Sequence, residues 1–278
     1  MPELPEVEVT RLGIQPYLEG RKVTAVKIID GRLRWPVPKH LPKTLLGQKL
    51  QAITRRGKYL LLEMDTGCLL VHLGMTGTLR VLPLYENLKL HDRVTIDFGK
   101  LSLRLHDPRK FGAVLWHPKT NGPIEKYPLL QKLGVEPFSE EFIGEVGAQL
   151  LFQKSRKRTI AVKQFLLAGE AVVGVGNIYC SESLFEAGIH PAKATGKLTR
   201  PQCARLAAAV KLILKKAIEA GGSSLKDFVN TDGDPGHFMV HTKVYDRKGL
   251  PCKVCKTPIK QIVQSQRSTY FCSQCQKR

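Results

Sequence analysis

No apolar run in the chain approaches the roughly 18 residues that a membrane-spanning helix needs, so a transmembrane protein is excluded from the reading. The opening Met1-Pro2-Glu3-Leu4-Pro5-Glu6 lacks both the basic start and the apolar stretch of a secretory signal. The expectation is a protein of the cytosol, or of the bacterial nucleoid. No internal repeat or low-complexity tract occurs. Acidic residues are scarce: 24 Asp and Glu face 44 Lys and Arg among 278 residues, a formal net charge of +20. Such an excess makes a long-range positive field that draws polyanions, above all nucleic acid. A basic but otherwise ordinary protein explains the charge as well, taken by itself. A membrane-surface protein explains it less well, because the basic residues are spread along the chain and not gathered beside an amphipathic anchor.

What is present is enough for folded cores. Apolar residues make up 42%, too many for a disordered chain, and the length fits two modest domains or one large one. A helix is expected over residues 3–19, started by Pro2 and Pro5 and kinked at Pro16. Short alternating or apolar runs at 59–64, 69–73, 78–82, 94–98 and 101–105 predict closely spaced strands, hence a sandwich or barrel. Beyond Pro137 the pattern turns helical. Ser139 is a candidate cap for a helix running towards Gln153, and helices are expected over 159–167, 178–187 and 200–220. A polar, glycine-rich stretch follows, up to Gly236, long enough to be functional.

Cysteine is sparse except at one place. Cys68, Cys180 and Cys203 read as buried small apolar residues. Cys252-Lys253-Val254-Cys255 and Cys272-Ser273-Gln274-Cys275 form two C-x-x-C pairs separated by 16 residues. Two such pairs can supply four thiolates to one tetrahedral zinc ion. Paired disulfides or redox dithiols are the other reading, disfavoured by the hairpin-like 259–270 between the pairs. With four thiolates and no neighbouring carboxylate or histidine, the site is read as one structural zinc.

The terminus carries the sharpest chemistry. With Met1 removed, Pro2 offers a secondary amine, which can form a cationic iminium with an aldehyde-like carbon. Glu3 lies beside it as a proton donor or acceptor. With Met1 attached the same nitrogen is an amide and cannot attack. A plain helix start also favours Pro and Glu.

Pro2-Glu3-Leu4-Pro5-Glu6-Val7-Glu8 resembles the opening of the bacterial formamidopyrimidine-DNA glycosylases. Similar to later segments of that family are Arg55-Arg56-Gly57-Lys58-Tyr59-Leu60, His72-Leu73-Gly74-Met75-Thr76-Gly77 and Asp107-Pro108-Arg109-Lys110-Phe111-Gly112. So are Val173-Gly174-Val175-Gly176-Asn177-Ile178-Tyr179 and the zinc segment with Gln266-Arg267. The matches come in family order and cover nearly the whole chain. Gly174-Val175-Gly176 alone suggests a dinucleotide loop, but the third glycine and the proper strand are missing.

The resemblance implies roles. Pro2 is the nucleophile, Glu3 assists base loss and ring opening, Lys58 donates a proton and holds phosphate, and Arg267 binds phosphate and promotes the second elimination. Lys163 and Asn177 grip phosphates, Asn177 from a helix start in a helix–two-turn–helix motif. Arg158 and His91 contact DNA. Met75, Arg109 and Phe111 fill the gap left by an extruded base, offsetting lost stacking, with Arg109 on the orphaned partner. The stretch to Gly236 covers the flipped base. Cys180 departs from the small residue expected there.

The reading is therefore an α+β protein with a β-sandwich domain flanked by helices at 1–137, a helix–two-turn–helix domain with the lesion loop at 138–236, and a zinc hairpin at 237–278. DNA is expected in a basic cleft between domains. The expected activity is a monomeric bifunctional DNA glycosylase and AP lyase of base excision repair, acting on oxidised purines in double-stranded DNA and cutting the strand by successive eliminations. Its rivals are an endonuclease VIII-like enzyme for oxidised pyrimidines and a non-catalytic zinc protein that binds DNA. Neither a partner membrane nor a second cofactor is expected.

Overall fold

The structure, a computed structural model, describes residues 2–223 and 237–277. The chain divides into two compact units, Met1–Gln131 with Ala220–His237, and Lys132–Glu219 with Phe238–Arg278. No helix of the described residues is long and apolar enough to cross a membrane.

The first unit begins with α1 (Leu4–Leu18), at whose start the Glu6 side chain accepts the Glu3 N–H. Its buried Leu4, Val7, Ile14 and Leu18 recur at helical spacing and pack on β2, β3 and β5. The helix runs through Pro16 for only two more residues, so the backbone bond removed by the ring lies at its frayed end. Then come β1 (Ala25–Ile28), α2 (Leu41–Leu45), β2 (Leu50–Arg56), β3 (Tyr59–Met64), β4 (Gly67–His72), β5 (Thr78–Pro83), β6 (Asp92–Phe98), β7 (Leu101–His106), β8 (Ala113–Pro118) and α3 (Pro128–Gln131).

Two antiparallel four-stranded sheets result, in the orders β2-β3-β4-β8 and β1-β6-β7-β5. Leu60, Leu62, Leu69 and Val71 from one meet Val94, Ile96, Leu103 and Leu105 from the other in a single core. Each such burial stabilises by about 1.5–3 kcal/mol, and truncating Leu103 to Ala costs about 2–5 kcal/mol. The five strands expected from pattern are all present. Three others escape the pattern. In β1 no residue is fully buried, β2 carries a register shift between Leu50 and Ala52 that breaks its alternation, and β8 ends in Trp-His-Pro, whose one buried residue is the polar His117.

The second unit contains α4 (Gly144–Ser155), α5 (Val162–Ala168), α6 (Asn177–Glu186), α7 (Arg200–Glu219), α8 (Phe238–His241) and a hairpin of β9 (Lys260–Gln264) and β10 (Arg267–Phe271). The buried Leu206, Val210, Ile213, Leu214 and Ala217 stripe of α7 packs on α4 and α6, and α6 packs on α5 and β10. The helix expected to be capped at Ser139 instead begins at Gly144. Ser139 Oγ turns back to the Glu136 carbonyl (2.9 Å), a short 3-10 turn follows, and Gly144 takes a positive φ of 55°, which separates that turn from α4.

Candidate functional site

In the first unit Pro2 is buried at the head of α1, next to the nearly inaccessible Glu3. The sequence reading missed Glu6, which organises this end. Its Oε2 accepts the Glu3 N–H (2.8 Å), while Oε1 accepts both the N–H and the hydroxyl of Ser223 (2.8 Å each). One buried carboxylate therefore ties the proposed nucleophile's neighbour to the first residue of the glycine-rich stretch. Gly222, at φ 84°, passes so close to Glu6 that a Cβ would press on its carboxyl group. Met1 and the expected lesion cover over 224–236 lie outside the described residues.

Lys58 sits at the tip of the β2–β3 hairpin, whose two-residue turn is Gly57-Lys58 with Arg56 paired to Tyr59. Gly57 takes φ 58°, the left-handed conformation such tight hairpin turns require. The turn is braced from β2, where Arg55 Nη1 donates to the Gly57 carbonyl (3.0 Å) and Nε to Glu8 (2.8 Å). Burial raises the Glu8 pKa, but the hydrogen bonds from Arg11 and Arg55 outweigh it and hold the carboxyl below its usual value. Across the next strand pair, Tyr59 lies opposite His72, their rings 4.8 Å apart. Burial first, then the charges of Lys58 and Arg34, push the His72 pKa down to about 4. Its Nδ1 accepts the Gly74 N–H (2.9 Å), so the neutral ring carries its proton on Nε2. His72 is a second residue that pattern did not single out; only strand register brings it to Lys58.

Met75, Arg109 and Phe111 come together on two adjoining loops. All three are exposed, Met75 at 38% and Phe111 at 43%, so neither apolar side chain serves the core. Arg109 lies over the Phe111 ring, 5.1 Å from its centroid. Gly74, at φ 66°, stacks directly on the Phe111 backbone with no room for a Cβ. Asp107, fully buried, joins the loops: it accepts the Thr76 hydroxyl (3.2 Å) beside Met75 and the Gly112 N–H (2.8 Å) beside Phe111. From the other side, Arg93 donates to the Asp107 carbonyl (2.8 Å) and to His91 Nδ1 (3.1 Å). A guanidinium has no acceptor, so His91 Nδ1 accepts and its proton sits on Nε2. Lys110 and His91 both take positive φ, 60° and 80°. Lys110 is held by Asp30 (2.7 Å), whose pKa Arg32 and Lys110 hold well below the carboxylate range. Strain of this kind persists only where surroundings over-determine the backbone.

In the second unit Asn177 is the first residue of α6, as expected. Lys163, implied to grip phosphate directly, is fully buried instead. Its ammonium donates to the Ser268 carbonyl (3.0 Å) and Thr269 Oγ1 (2.8 Å), and Asn177 Nδ2 donates to the same carbonyl (3.1 Å). Both side chains thus hold β10, the strand that Arg267 begins. Arg267 itself is exposed, placed by a Ser265-Gln266 turn with φ 46° and 60°. Arg158 pairs with Glu170 at the surface (2.9 Å).

Cys252, Cys255, Cys272 and Cys275 bring their sulfurs within 4.8 Å of one another, and none is in a disulfide. Tetrahedral thiolates around zinc lie about 3.8 Å apart for 2.3 Å Zn–S bonds, so the donors fit that ion. The Val254 and Cys275 N–H groups donate to the Cys252 and Cys272 sulfurs. Glu182 of α6 anchors the approach to this segment: its carboxylate accepts the N–H groups of Lys243, Val244 and Tyr245 (2.8–2.9 Å). Burial raises its pKa against those three bonds.

Residues 1–114 match the family described as the formamidopyrimidine-DNA glycosylase N-terminal domain, residues 133–229 the H2TH domain of the same enzymes, and residues 249–278 the zinc finger found in FPG and IleRS. The formamidopyrimidine-DNA glycosylase of Polynucleobacter necessarius is 83% identical over the full length of both chains, and that of Burkholderia vietnamiensis 56%, again over both full lengths. A Lactococcus lactis Fpg complexed with abasic-site DNA superposes with a TM-score of 0.90 at 34% identity. MutM in complex with DNA containing carbocyclic 8-oxo-G does so with the same values. Both structures cover the whole of each chain. The zinc-finger match and the four-cysteine cluster together assign one structural zinc ion.

Proposed function

The chain belongs to the formamidopyrimidine-DNA glycosylase family, and from that premise we propose that it removes oxidised purines, 8-oxoguanine and formamidopyrimidines, by covalent catalysis at Pro2. It is a DNA glycosylase and AP lyase of base excision repair. The Pro2 nitrogen, freed of Met1, bonds to the sugar C1′ as the glycosidic bond breaks. The departing base takes the electron pair and a proton. Glu3 supplies a proton to the ring oxygen, the C1′–O bond opens, and a cationic iminium remains. Loss of a C2′ proton then expels the 3′ phosphate. A second elimination expels the 5′ phosphate, and water releases Pro2.

The observation that carries this reading is the buried Pro2–Glu3 start of α1, locked by Glu6 to Ser223. Lys58 donates a proton and holds phosphate, and Arg267 meets phosphate at the second elimination. Lys163 and Asn177 contribute by fixing the strand that carries Arg267. Arg158 and His91 add DNA contacts; the Arg158–Glu170 pair is exposed, worth about 0–1 kcal/mol, and gives way to phosphate. Met75 and Phe111 replace the extruded base, and Arg109 meets its orphaned partner. The protein works as a monomer in the cytoplasm, at the nucleoid.

Borohydride trapping on an 8-oxoguanine duplex, followed by mass spectrometry, tests the chemistry. The adduct maps to Pro2 in a chain lacking Met1. An adduct on Lys58, in a chain that keeps Met1, overturns it. Cleavage of 8-oxoguanine and thymine glycol duplexes side by side tests the substrate: faster cleavage of thymine glycol overturns the purine preference.

A further inference from the structure

The outer face of the β5–β7 pair carries a charge arrangement that the repair chemistry does not use. Arg80 of β5 lies directly opposite Arg104 of β7 in the strand register. Like charges so placed are destabilising. Among the described residues neither guanidinium has a carboxylate partner. Arg104, almost fully buried, donates to the Pro83, Glu86 and Asn87 carbonyls and to Ser102 Oγ. Arg80 Nε is buried and has no hydrogen-bond partner among the described residues. A buried donor left unpaired forfeits its hydration without replacement.

Both arginines line a cavity of about 470 Å³, with Lys89 and Arg109 on its wall. The one carboxylate lining it, Asp92, is already engaged. His106 Nδ1 donates to its Oδ1 (3.1 Å) and the Lys89 N–H to its Oδ2 (2.8 Å). Four cations therefore line the cavity against one engaged carboxylate, Lys89 also pairing with Glu86 outside the lining (3.7 Å). The volume falls within the range of small-ligand sites, roughly 300–1,000 Å³.

We propose that this cavity is a phosphate-binding site, floored by Arg80 and Arg104, that accepts a phosphate or diphosphate group. An anion there relieves the repulsion between the paired arginines. Guanidinium forks match phosphate oxygens bidentately. The group comes either from the DNA backbone or from a free phosphorylated compound. The DNA source rests on the reading that Arg109, on the cavity wall, enters the duplex.

Inorganic pyrophosphate titrated calorimetrically into the zinc-loaded full chain, without DNA, tests the site independently of the repair reading. One equivalent binds, and Arg80→Gln weakens binding at least tenfold. Thermal melting shows whether that variant is folded. Should it not fold, Lys89→Gln decides: this side chain is exposed, and its loss weakens binding several-fold. A second arm repeats the titration with a saturating, uncleavable abasic-analogue duplex. If a backbone phosphate fills the cavity, the duplex abolishes pyrophosphate binding, and Arg80→Gln reduces the log–log salt slope of duplex binding by about 0.9. If a free compound fills it, pyrophosphate binds beside the duplex and the slope is unchanged. No pyrophosphate binding, or equal binding by the wild type and the folded Arg80→Gln protein, overturns the site.

Discussion

Replacing Asp107 with Ala removes the acceptor shared by the two loops that carry Met75, Arg109 and Phe111. Two donors then lose their partner, the buried Gly112 N–H and the Thr76 hydroxyl. The Gly112 bond is the shorter, and its N–H cannot rotate towards water; the Thr76 hydroxyl can. At about 1–3 kcal/mol for a stranded donor, the pair comes to about 2–4 kcal/mol. If that energy is lost from the geometry needed to expel the base, single-turnover excision falls by about 30- to 1,000-fold. Asp107→Asn keeps a carbonyl for Gly112 and offers an N–H to Thr76 Oγ, so it restores excision to within about tenfold of wild type. Trapping on a duplex with a preformed abasic site needs no base extrusion, and stays within a few-fold of wild type in both variants. A 2-aminopurine opposite the lesion reports the orphaned base directly: its fluorescence rise on binding is lost in Asp107→Ala and regained in Asp107→Asn. A wild-type excision rate in Asp107→Ala, with Met75→Ala and Phe111→Ala slow, would show that Asp107 does not hold the two loops in their working geometry. If those two are also fast, the wedge assignment itself has failed.

Three further outcomes are expected. Cys252→Ser breaks the four-thiolate site, releases zinc in a metal-binding dye assay and abolishes duplex binding, while the first unit stays folded by hydrogen exchange; full binding by the metal-free protein contradicts this. The His72 pKa of about 4 lies below its ordinary 6.5, so its contribution is present above pH 6.5 and lost as pH falls towards 4. The shift corresponds to about 3 kcal/mol, and His72→Asn should flatten the pH dependence of the first unit's denaturant midpoint across that window. Glu182→Ala strands three backbone donors at 243–245, and hydrogen exchange there should quicken by at least a hundredfold; unchanged exchange refutes the anchoring role.

Features that depend on local pattern or on a covalent position were legible in the residues alone. The cysteine spacing defined the zinc site, because two knuckles and one ion need only short-range chain geometry. The helix start at Pro2–Glu6 and the apolar stripe of α7 followed from capping and periodicity. The family motifs supplied Pro2, Lys58, Asn177 and Arg267 as candidates. Features that join residues distant in the chain became visible only in the folded molecule. Lys163 carries the charge of a phosphate ligand, yet 105 residues separate it from the Ser268 carbonyl that it holds, and no local pattern announces that its ammonium is buried. Glu6 and Ser223 meet across 217 residues, and Asp107 reaches Thr76 across 31. The opposed arginines of β5 and β7 follow from strand register alone. In each case a polar group is fixed by the partner that satisfies it, and folding, not sequence proximity, supplies that partner.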